Sequence, residues 1–113
     1  MATFERGDVV KVPFPSTDRS TRQSRPALVV SQRALAEAHG LLWVVMITSA
    51  ENRRREGDVH VADLAKAGLP VPSLIRAAKI ATIDQTDAAH LGHVSAAVLS
   101  NVTKRLARTL GIA

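Results

Sequence analysis

The chain has 113 residues, of which 46% are hydrophobic, and these values predict one folded domain over residues 1–113 rather than a disordered segment. It has no cysteine, which excludes disulfides, thiolate nucleophiles and cysteine-based zinc sites. The formal net charge of +5 suits a phosphate-rich partner, whereas an aromatic content of only 3% argues against a broad base-stacking surface.

The first half of the chain predicts three strands and one short helix. Alternating valines predict a strand over residues 9–12, which two prolines end because proline cannot donate to a strand ladder. A loop without apolar residues follows at residues 16–24, and valines within residues 26–31 predict a second strand. The composition of residues 32–39 is helical, and the continuous apolar run at residues 41–47 predicts a third strand that is covered on both faces.

The second half begins with a polar loop over residues 48–56. Asp58 and His60 then alternate with valines, and this period of two predicts a half-exposed strand with the polar side chains on its exposed side. One helical turn is expected within residues 62–68. A long strand is expected within residues 74–83, although several alanines weaken its alternation.

A helix is predicted from Ser95 to about residue 110, because apolar side chains recur on one face at helical spacing: Leu99, Val102, Leu106 and Leu110. Ser95 is a suitable N-cap and Gly111 a suitable C-cap. Short strands joined by polar loops and followed by a helix predict a mainly β fold, a compact antiparallel barrel with the helix packed on it.

Neither a signal peptide nor a membrane span is predicted. Residues 1–8 carry charge without an apolar core, and the apolar runs are far shorter than the roughly 20 residues that a spanning helix needs. We therefore expect a soluble cytoplasmic protein with no membrane partner. His90 and His93 lie close together in the sequence but without a carboxylate cluster, so no metal site is expected.

Three segments of the chain carry a family resemblance. Residues 7–14 read Gly-Asp-Val-Val-Lys-Val-Pro-Phe, residues 24–31 place Ser-Arg-Pro before small and apolar residues, and residues 69–84 contain Pro-Ser, Ile-Arg and Thr-Ile-Asp in turn. In order and spacing these segments resemble the MazF/PemK toxin family, which includes the Kid-type plasmid toxins. The predicted terminal helix also falls where that family has one, so the resemblance extends over nearly the whole chain.

The resemblance implies a toxin of a type II toxin-antitoxin system with an SH3-like antiparallel β-barrel, short helices and a C-terminal helix. It implies a homodimer, and an antitoxin partner whose acidic or apolar tail covers the RNA groove. It also implies an endoribonuclease that cuts single-stranded RNA at short sequences without a metal or other cofactor. Such cleavage uses the substrate's own 2′-hydroxyl as nucleophile and leaves a 2′,3′-cyclic phosphate and a 5′-hydroxyl end.

Two residues are the candidates for catalysis, Arg25 and Thr48. Arg25 lies between the long polar loop and Pro26, at the entrance of a strand, and in the family this arginine stabilises the phosphate and is a candidate acid. Thr48 ends the apolar strand, where the family places a catalytic threonine or serine. The structural alternatives are an arginine that pairs with Asp18 and a threonine hydroxyl that binds a loop amide.

Five further residues are expected to bind RNA: Ser49, Arg76, Lys79, Arg22 and Arg19. Ser49 follows the candidate threonine, and the family uses a basic residue at position 76 for its substrate. Lys79 should face away from Arg76 on a regular strand, so at least one of the two is expected to be merely solvated. Arg19 and Arg22 lie on the polar loop, from which both are expected to contact the RNA backbone.

One departure from the family pattern bears on activity. Kid-like members have an aspartate two residues after the arginine that Arg76 matches, whereas this chain has Ala78, so one candidate general base is missing. A catalytically impaired RNA-binding relative is therefore one alternative, and a gyrase poison of the CcdB type, on the same kind of fold, is another. Trp43 is expected in the core or in a dimer interface rather than in base stacking.

Overall fold

Strands dominate the part of the chain that the structure, a computed structural model, describes, which is residues 3–15, 22–52 and 55–112. The described strands are β1 (Asp8–Pro15), β2 (Arg22–Val29), β3 (Leu41–Ser49), β4 (Asp58–His60), β5 (Ser73–Asp84) and β6 (Ala89–His93). The described helices are α1 (Arg33–His39), α2 (Leu64–Ala67) and α3 (Ala96–Leu110). The strands form an antiparallel sheet in the order β4-β5-β3-β2-β1-β6, which confirms the mainly β fold with short helices and a C-terminal helix.

Apolar side chains cover both faces of this sheet. On the face that we call the α3 face, Val98 and Val102 of α3 pack against a buried cluster that includes Val9, Leu28, Val45, Ile47, Val59 and Ile75. On the opposite face, the α1 face, Ala36 of α1 joins a second cluster that includes Phe4, Val10, Val12, Phe14, Ala27, Val29, Leu42, Val44 and Ile83. β1 and β5 contact each other although other strands separate them in the sheet, so the sheet curls towards a barrel.

The alternation of side chains along each strand decides which cluster a residue joins. Val9 lies opposite Leu28 and both face α3, whereas their neighbours Val10 and Ala27 lie opposite each other and face α1. Burying one valine or leucine side chain contributes about 1.5–3 kcal/mol, so a slip of one residue in this register exchanges two buried faces at once. The register is therefore well defined up to the ends of the ladders, where the polar side chains lie.

The ends of α3 confirm the predicted caps. The Ser95 hydroxyl accepts a hydrogen bond from the Val98 backbone N–H at 3.2 Å, and Gly111 ends the helix in the left-handed region at φ 77°. Val102 is fully buried, but Leu110 is exposed, so the predicted apolar face of the helix is buried over its first turns and open at its end. No helix in the described residues combines the length and the apolar composition needed to span a bilayer.

The structure shifts several predicted strand ends, most of all those of β1 and β2, and adds a sixth strand. β1 continues to Pro15 and β2 begins at Arg22, because these residues are the last pair of the β1–β2 ladder. Beyond Lys11 β1 has no partner on β6, and at such an edge the missing N–H of a proline costs little. The sequence pattern does not indicate β6, because only Gly92 among its residues is buried and no apolar alternation marks the strand.

Candidate active site

β2 and β3 separate from each other at one end of the ladder that they share. Ala27 opposite Met46 is the last pair of this ladder, yet β2 reaches back to Arg22 and β3 continues to Ser49. Beyond this pair β2 remains bonded to β1, and β3 remains bonded to β5. The β2–β3 ladder of the described residues ends at this pair, and we call the region between the two strand ends beyond it the cleft.

The two candidate catalytic residues lie on the strands that border this cleft. The ladder ends at Ala27 and Met46, and two residues past this pair lie Arg25 on β2 and Thr48 on β3. Both belong to the α1 face, since each is two residues from a member of that pair, and Arg25 also lies opposite the core residue Val12. The fold thus brings Arg25 and Thr48 to the same end of the same face, with Arg25 partly buried.

The Thr48 hydroxyl is buried and held by one neighbour. Thr48 is only 7% exposed, and its Oγ1 accepts a hydrogen bond from Asn52 Nδ2 at 2.6 Å. Asn52 is itself held in a turn, because its backbone N–H donates to the Ser49 carbonyl at 3.0 Å. The Ser49 hydroxyl in turn accepts from the Glu51 N–H at 3.2 Å. The predicted polar loop therefore begins as a hydrogen-bonded turn beside the cleft.

Arg76 forms a buried ion pair with Asp58 between β5 and β4. Its Nε donates to Oδ1 at 3.3 Å and its Nη2 donates to Oδ2 at 3.1 Å, and the two side chains are 7% and 1% exposed. Asp58 Oδ2 also accepts from the Arg55 backbone N–H at 2.9 Å. Asp58 was expected on the exposed side of its strand, and that prediction is wrong because Arg76 supplies the partner that burial requires.

Burial raises the pKa of the Asp58 carboxyl, but the hydrogen bonds from Arg76 and from the Arg55 N–H, with the positive charges of both arginines, outweigh that effect. The pKa of Asp58 therefore lies below the ordinary value for aspartate, and the residue is ionised at neutral pH. The Asp58 carboxylate neutralises the guanidinium of Arg76. It therefore fixes the Arg76 side chain in place and lowers the attraction of that side chain for phosphate.

The ion pair lies on the same face of the sheet as the two candidate catalytic residues. Arg76 is opposite Met46 of β3 on one side and opposite Asp58 of β4 on the other. Four polar residues therefore cross this end of the α1 face, and we call them the polar row: Arg25, Thr48, Arg76 and Asp58. The predicted contact of Arg76 with RNA stays a prediction, beside the structural role that the ion pair gives this side chain.

A bulge separates Lys79 from the polar row. The register between β3 and β5 shifts next to Arg76, because residues 77–79 have no partners on β3. The prediction that Lys79 faces away from Arg76 assumes a regular strand, and that premise is wrong. Lys79 is partly buried on the bulge, whereas Ala78 is exposed and lines a hollow with Arg105 of α3 that contains no residue of the polar row.

The other candidates for RNA binding lie at the margins of the cleft or outside the described residues. Ser49 ends β3, is partly buried and shapes the turn that holds Asn52. Arg22 begins β2, so the predicted loop is shorter than expected at this end. Arg19 lies outside the described residues, as does Asp18, the alternative partner of Arg25.

Two residues of this region escaped the sequence reasoning, Asn52 and Asp58. Asn52 stands in a polar segment without periodicity, and only its spacing of four residues from Thr48 hints at a shared turn. Asp58 shows the alternation of an exposed strand residue, and its partner is 18 residues away, so the pairing appears only once the β4–β5 register is known. Among the described residues, no three His, Cys, Asp or Glu side chains cluster closely enough to hold a metal ion.

Large apolar side chains are exposed on the α3 face, beside the end of α3. Trp43 is 47% exposed and Ile80 is 52% exposed, and they line one hollow with Leu110 and Ile112, which are 67% and 77% exposed. We call these four residues the apolar patch. The expectation that Trp43 belongs to the core is wrong, since the end of α3 lies beside it rather than over it, and the dimer interface stays a prediction.

Solved structures with this fold include MazF from Deinococcus radiodurans, which is 24% identical with a TM-score of 0.81 over 98% of this chain and 99% of that chain. The MazE-MazF complex from the same organism matches with 26% identity and a TM-score of 0.77, again over 98% of this chain and 99% of that chain. An endoribonuclease in complex with its cognate antitoxin, from a mycobacterial species, matches with 22% identity and a TM-score of 0.74 over 96% of each chain.

The comparison with curated proteins found no match. A family model described as a PemK-like, MazF-like toxin of a type II toxin-antitoxin system matches residues 5–110, which is nearly the whole chain. The chain therefore belongs to the PemK-like, MazF-like toxin family of type II toxin-antitoxin systems.

Proposed function

We propose that this toxin is an endoribonuclease that cuts single-stranded RNA without a metal ion, with Arg25 and Thr48 as its catalytic residues. The observation that carries the proposal is the end of the β2–β3 ladder, since Arg25 and Thr48 each lie two residues past its last pair, on the same face of the sheet. Membership in the toxin family supports it, and so does the fold shared with an endoribonuclease solved with its antitoxin. The net charge of +5 favours a polyanionic substrate.

The reaction that suits these residues is an attack of the 2′-hydroxyl on the adjacent phosphorus. The 2′-oxygen bonds to phosphorus while the bond from phosphorus to the 5′-oxygen breaks, and the 2′-hydroxyl loses a proton while the 5′-oxygen gains one. Negative charge then grows on the non-bridging oxygens, where the planar guanidinium of Arg25 offsets it and the Thr48 hydroxyl donates a hydrogen bond. The products are a 2′,3′-cyclic phosphate and a 5′-hydroxyl end.

Contacts along the RNA backbone are the proposed role of the remaining candidates. Ser49 borders the cleft, and Arg22, Arg19 and Lys79 carry positive charge on the neighbouring segments, so each suits a phosphate of a strand that passes through. For Arg76 we propose that the ion pair with Asp58 supports the floor of the cleft. Its direct contact with RNA is a separate proposal, which the double variant Asp58→Leu/Arg76→Met tests.

The alanine at position 78 supports a second candidate, an RNA-binding relative that does not cut. A carboxylate at this position is a candidate general base in Kid-like relatives, and Ala78 cannot accept a proton. It also lies on the β5 bulge, in a hollow with Arg105 rather than beside Thr48. Binding without cleavage is thus a distinct outcome of the experiment below.

We infer a homodimer that assembles through the apolar patch. Soluble monomers rarely leave adjacent large apolar side chains open to water, and symmetric dimers are the commonest way in which such a surface is covered. The MazE-MazF complex with the same fold supports a cognate antitoxin as a second partner. An RNA substrate implies that the toxin acts in the cytoplasm.

The test incubates the purified toxin with mixed-sequence RNA in the presence of EDTA. The wild type should cut, and Arg25→Ala should bind the RNA but cut it about 10²- to 10³-fold more slowly. Arg33→Ala is the matched control, because it removes the same charge from an exposed surface pair with Glu5 and should cut at the wild-type rate. Tight binding without cutting by the wild type would favour the inactive relative. Inhibition of gyrase supercoiling without RNA cleavage would favour the CcdB-type alternative.

A further inference from the structure

We infer that Asn52 is the residue that positions the catalytic hydroxyl of Thr48, an inference that rests on the proposed ribonuclease activity. A threonine hydroxyl donates through one proton and accepts through its oxygen. The direction of the hydrogen bond that it accepts therefore limits the direction in which its proton can point. Asn52 Nδ2 donates to Thr48 Oγ1 at 2.6 Å. An amide nitrogen has no lone pair to offer, so this bond occupies the acceptor side of the hydroxyl and leaves its proton for another group.

Within the described residues, the Thr48 hydroxyl makes one hydrogen bond, which it accepts from Asn52. Its proton therefore has no acceptor among these residues. Thr48 is 7% exposed and stands at the end of β3, on the same face as Arg25 across the cleft. A proton aimed into that cleft would meet a non-bridging phosphate oxygen of the bound RNA. The hydroxyl is therefore oriented before the substrate arrives, so little reorganisation remains for the reaction step.

The turn that carries Asn52 fixes its amide in turn. The Asn52 backbone N–H donates to the Ser49 carbonyl, and Ser49 is the last residue of β3. The neighbouring Ala50 N–H donates to the Pro72 carbonyl at 2.9 Å, which ties the same turn to the segment that precedes β5. Asn52 is thus an exposed side chain on an anchored backbone, and its single described side-chain bond leads to Thr48.

The inference makes a specific kinetic prediction for Asn52→Leu, which has a similar size but no donor. The turnover number kcat should fall about tenfold while KM changes less than twofold, because orientation of a hydroxyl in the transition state is lost and RNA binding is kept. Asn52→Asp should fall further, since its carboxylate only accepts and would draw the Thr48 proton away from the phosphate. Glu51→Gln, in the same turn, changes a side chain that makes no described hydrogen bond with Thr48 and should retain the wild-type kcat.

The decisive measurement is a double-mutant cycle with Thr48→Val, read by kcat on the same RNA. If Asn52 acts through the hydroxyl, Asn52→Leu should slow the wild type but leave Thr48→Val no slower than before. Equal slowing in both backgrounds, or a wild-type kcat in Asn52→Leu, would overturn the positioning role while leaving the ribonuclease proposal intact. Absence of cleavage by the wild type, or full activity of Thr48→Val, would overturn the proposed function or its threonine, and the inference with it.

Discussion

The two faces of the sheet depart from ordinary burial in opposite ways. At the cleft end of the α1 face, Asp58, Arg76 and Thr48 are buried although they are polar, and each has a partner within the chain. On the α3 face, Trp43 and Ile80 are exposed although they are large and apolar. Burying a polar group costs free energy unless its hydrogen bonds are made, and exposing apolar area costs roughly 25 cal/mol for each Å².

This difference indicates that the two faces have different roles: the α1 face in the proposed reaction and the α3 face in the proposed dimerisation. Three members of the polar row, Thr48, Asp58 and Arg76, are held within one chain by bonds between β3, β4, β5 and the turn after β3, as a site that must hold its geometry requires. The apolar patch has no cover within the described residues. We therefore expect changes in the polar row to act on rate or on folding, and changes in the apolar patch to act on association.

The largest expected effect on the polar row is that of Arg25→Ala. Loss of a group that offsets charge in the transition state should lower kcat/KM by about 10²- to 10³-fold, with the folded state intact because the side chain is only partly buried. Arg25→Lys should recover a small part, since an ammonium group lacks the planar fork. Single-turnover cleavage of a labelled RNA measures both, and an Arg25→Ala variant as fast as wild type would remove Arg25 from the mechanism.

Asp58→Ala should destabilise the fold by about 3 kcal/mol, because it removes the buried carboxylate that accepts two hydrogen bonds from the guanidinium of Arg76. Urea unfolding followed by circular dichroism measures the change, and Glu37→Ala, at an exposed position of α1, is the control with no expected effect.

The paired variant Asp58→Leu/Arg76→Met sharpens this comparison. Replacing both charges by apolar side chains should restore much of the stability that Asp58→Ala loses. If Arg76 serves only the ion pair, the double variant binds RNA as tightly as the wild type. A stable double variant with much weaker RNA binding would instead assign Arg76 a direct contact with the substrate.

Trp43→Ala should weaken dimerisation by about 2 kcal/mol, which is roughly 30-fold in Kd, because a large aromatic side chain at the centre of an interface carries much of its energy. Val71→Ala is the matched control, since Val71 is 46% exposed, like Trp43, but lies outside the apolar patch. Analytical ultracentrifugation over a dilution series reads both variants. Equal dimer affinity in wild type and Trp43→Ala would place the dimer interface elsewhere.

The smallest expected effect is the pH dependence of the ion pair. The folded pKa of Asp58 lies below its ordinary value, so its contribution to stability is complete above the unfolded pKa of about 3.9 and is lost as the pH falls through the folded value. The difference in free energy of unfolding between wild type and Asp58→Asn should therefore be constant near neutral pH and shrink below about pH 4. If this difference in free energy of unfolding instead stays constant down to strongly acidic pH, the ion pair with Arg76 does not stabilise the ionised form of Asp58.

Much of the fold is predictable from the sequence because local patterns carry it. The valines of β1 alternate, the apolar run of β3 has the length of a strand, and Ser95 and Gly111 bound α3 as caps. β6 is absent from that pattern because an edge strand that buries a single glycine leaves no apolar signal. The predicted ends of β1 and β2 are wrong for a related reason. These two strands extend because they pair with each other, and the composition of the added residues does not indicate a strand.

The candidate site is predictable in part. Arg25 and Thr48 were identified by the family resemblance, but their placement on one face at the end of the β2–β3 ladder depends on strand pairing that only the fold supplies. Three other features depend on which strands pair, so no local sequence pattern predicts them. They are the burial of Asp58, the bulge at residues 77–79 and the hydrogen bond from Asn52 to Thr48. The exposure of Trp43 likewise follows from where α3 ends relative to β3.

We propose that the toxin cuts RNA through the ribose 2′-oxygen at the cleft of Arg25 and Thr48. The most direct test of this proposal compares an RNA that the toxin cuts with the same molecule carrying one 2′-deoxy nucleotide immediately 5′ to the scissile phosphate, both in EDTA. The all-ribose strand should yield 2′,3′-cyclic phosphate and 5′-hydroxyl ends, whereas the deoxy strand should bind and stay whole. Cleavage of the deoxy strand at the same bond and rate would contradict the proposal.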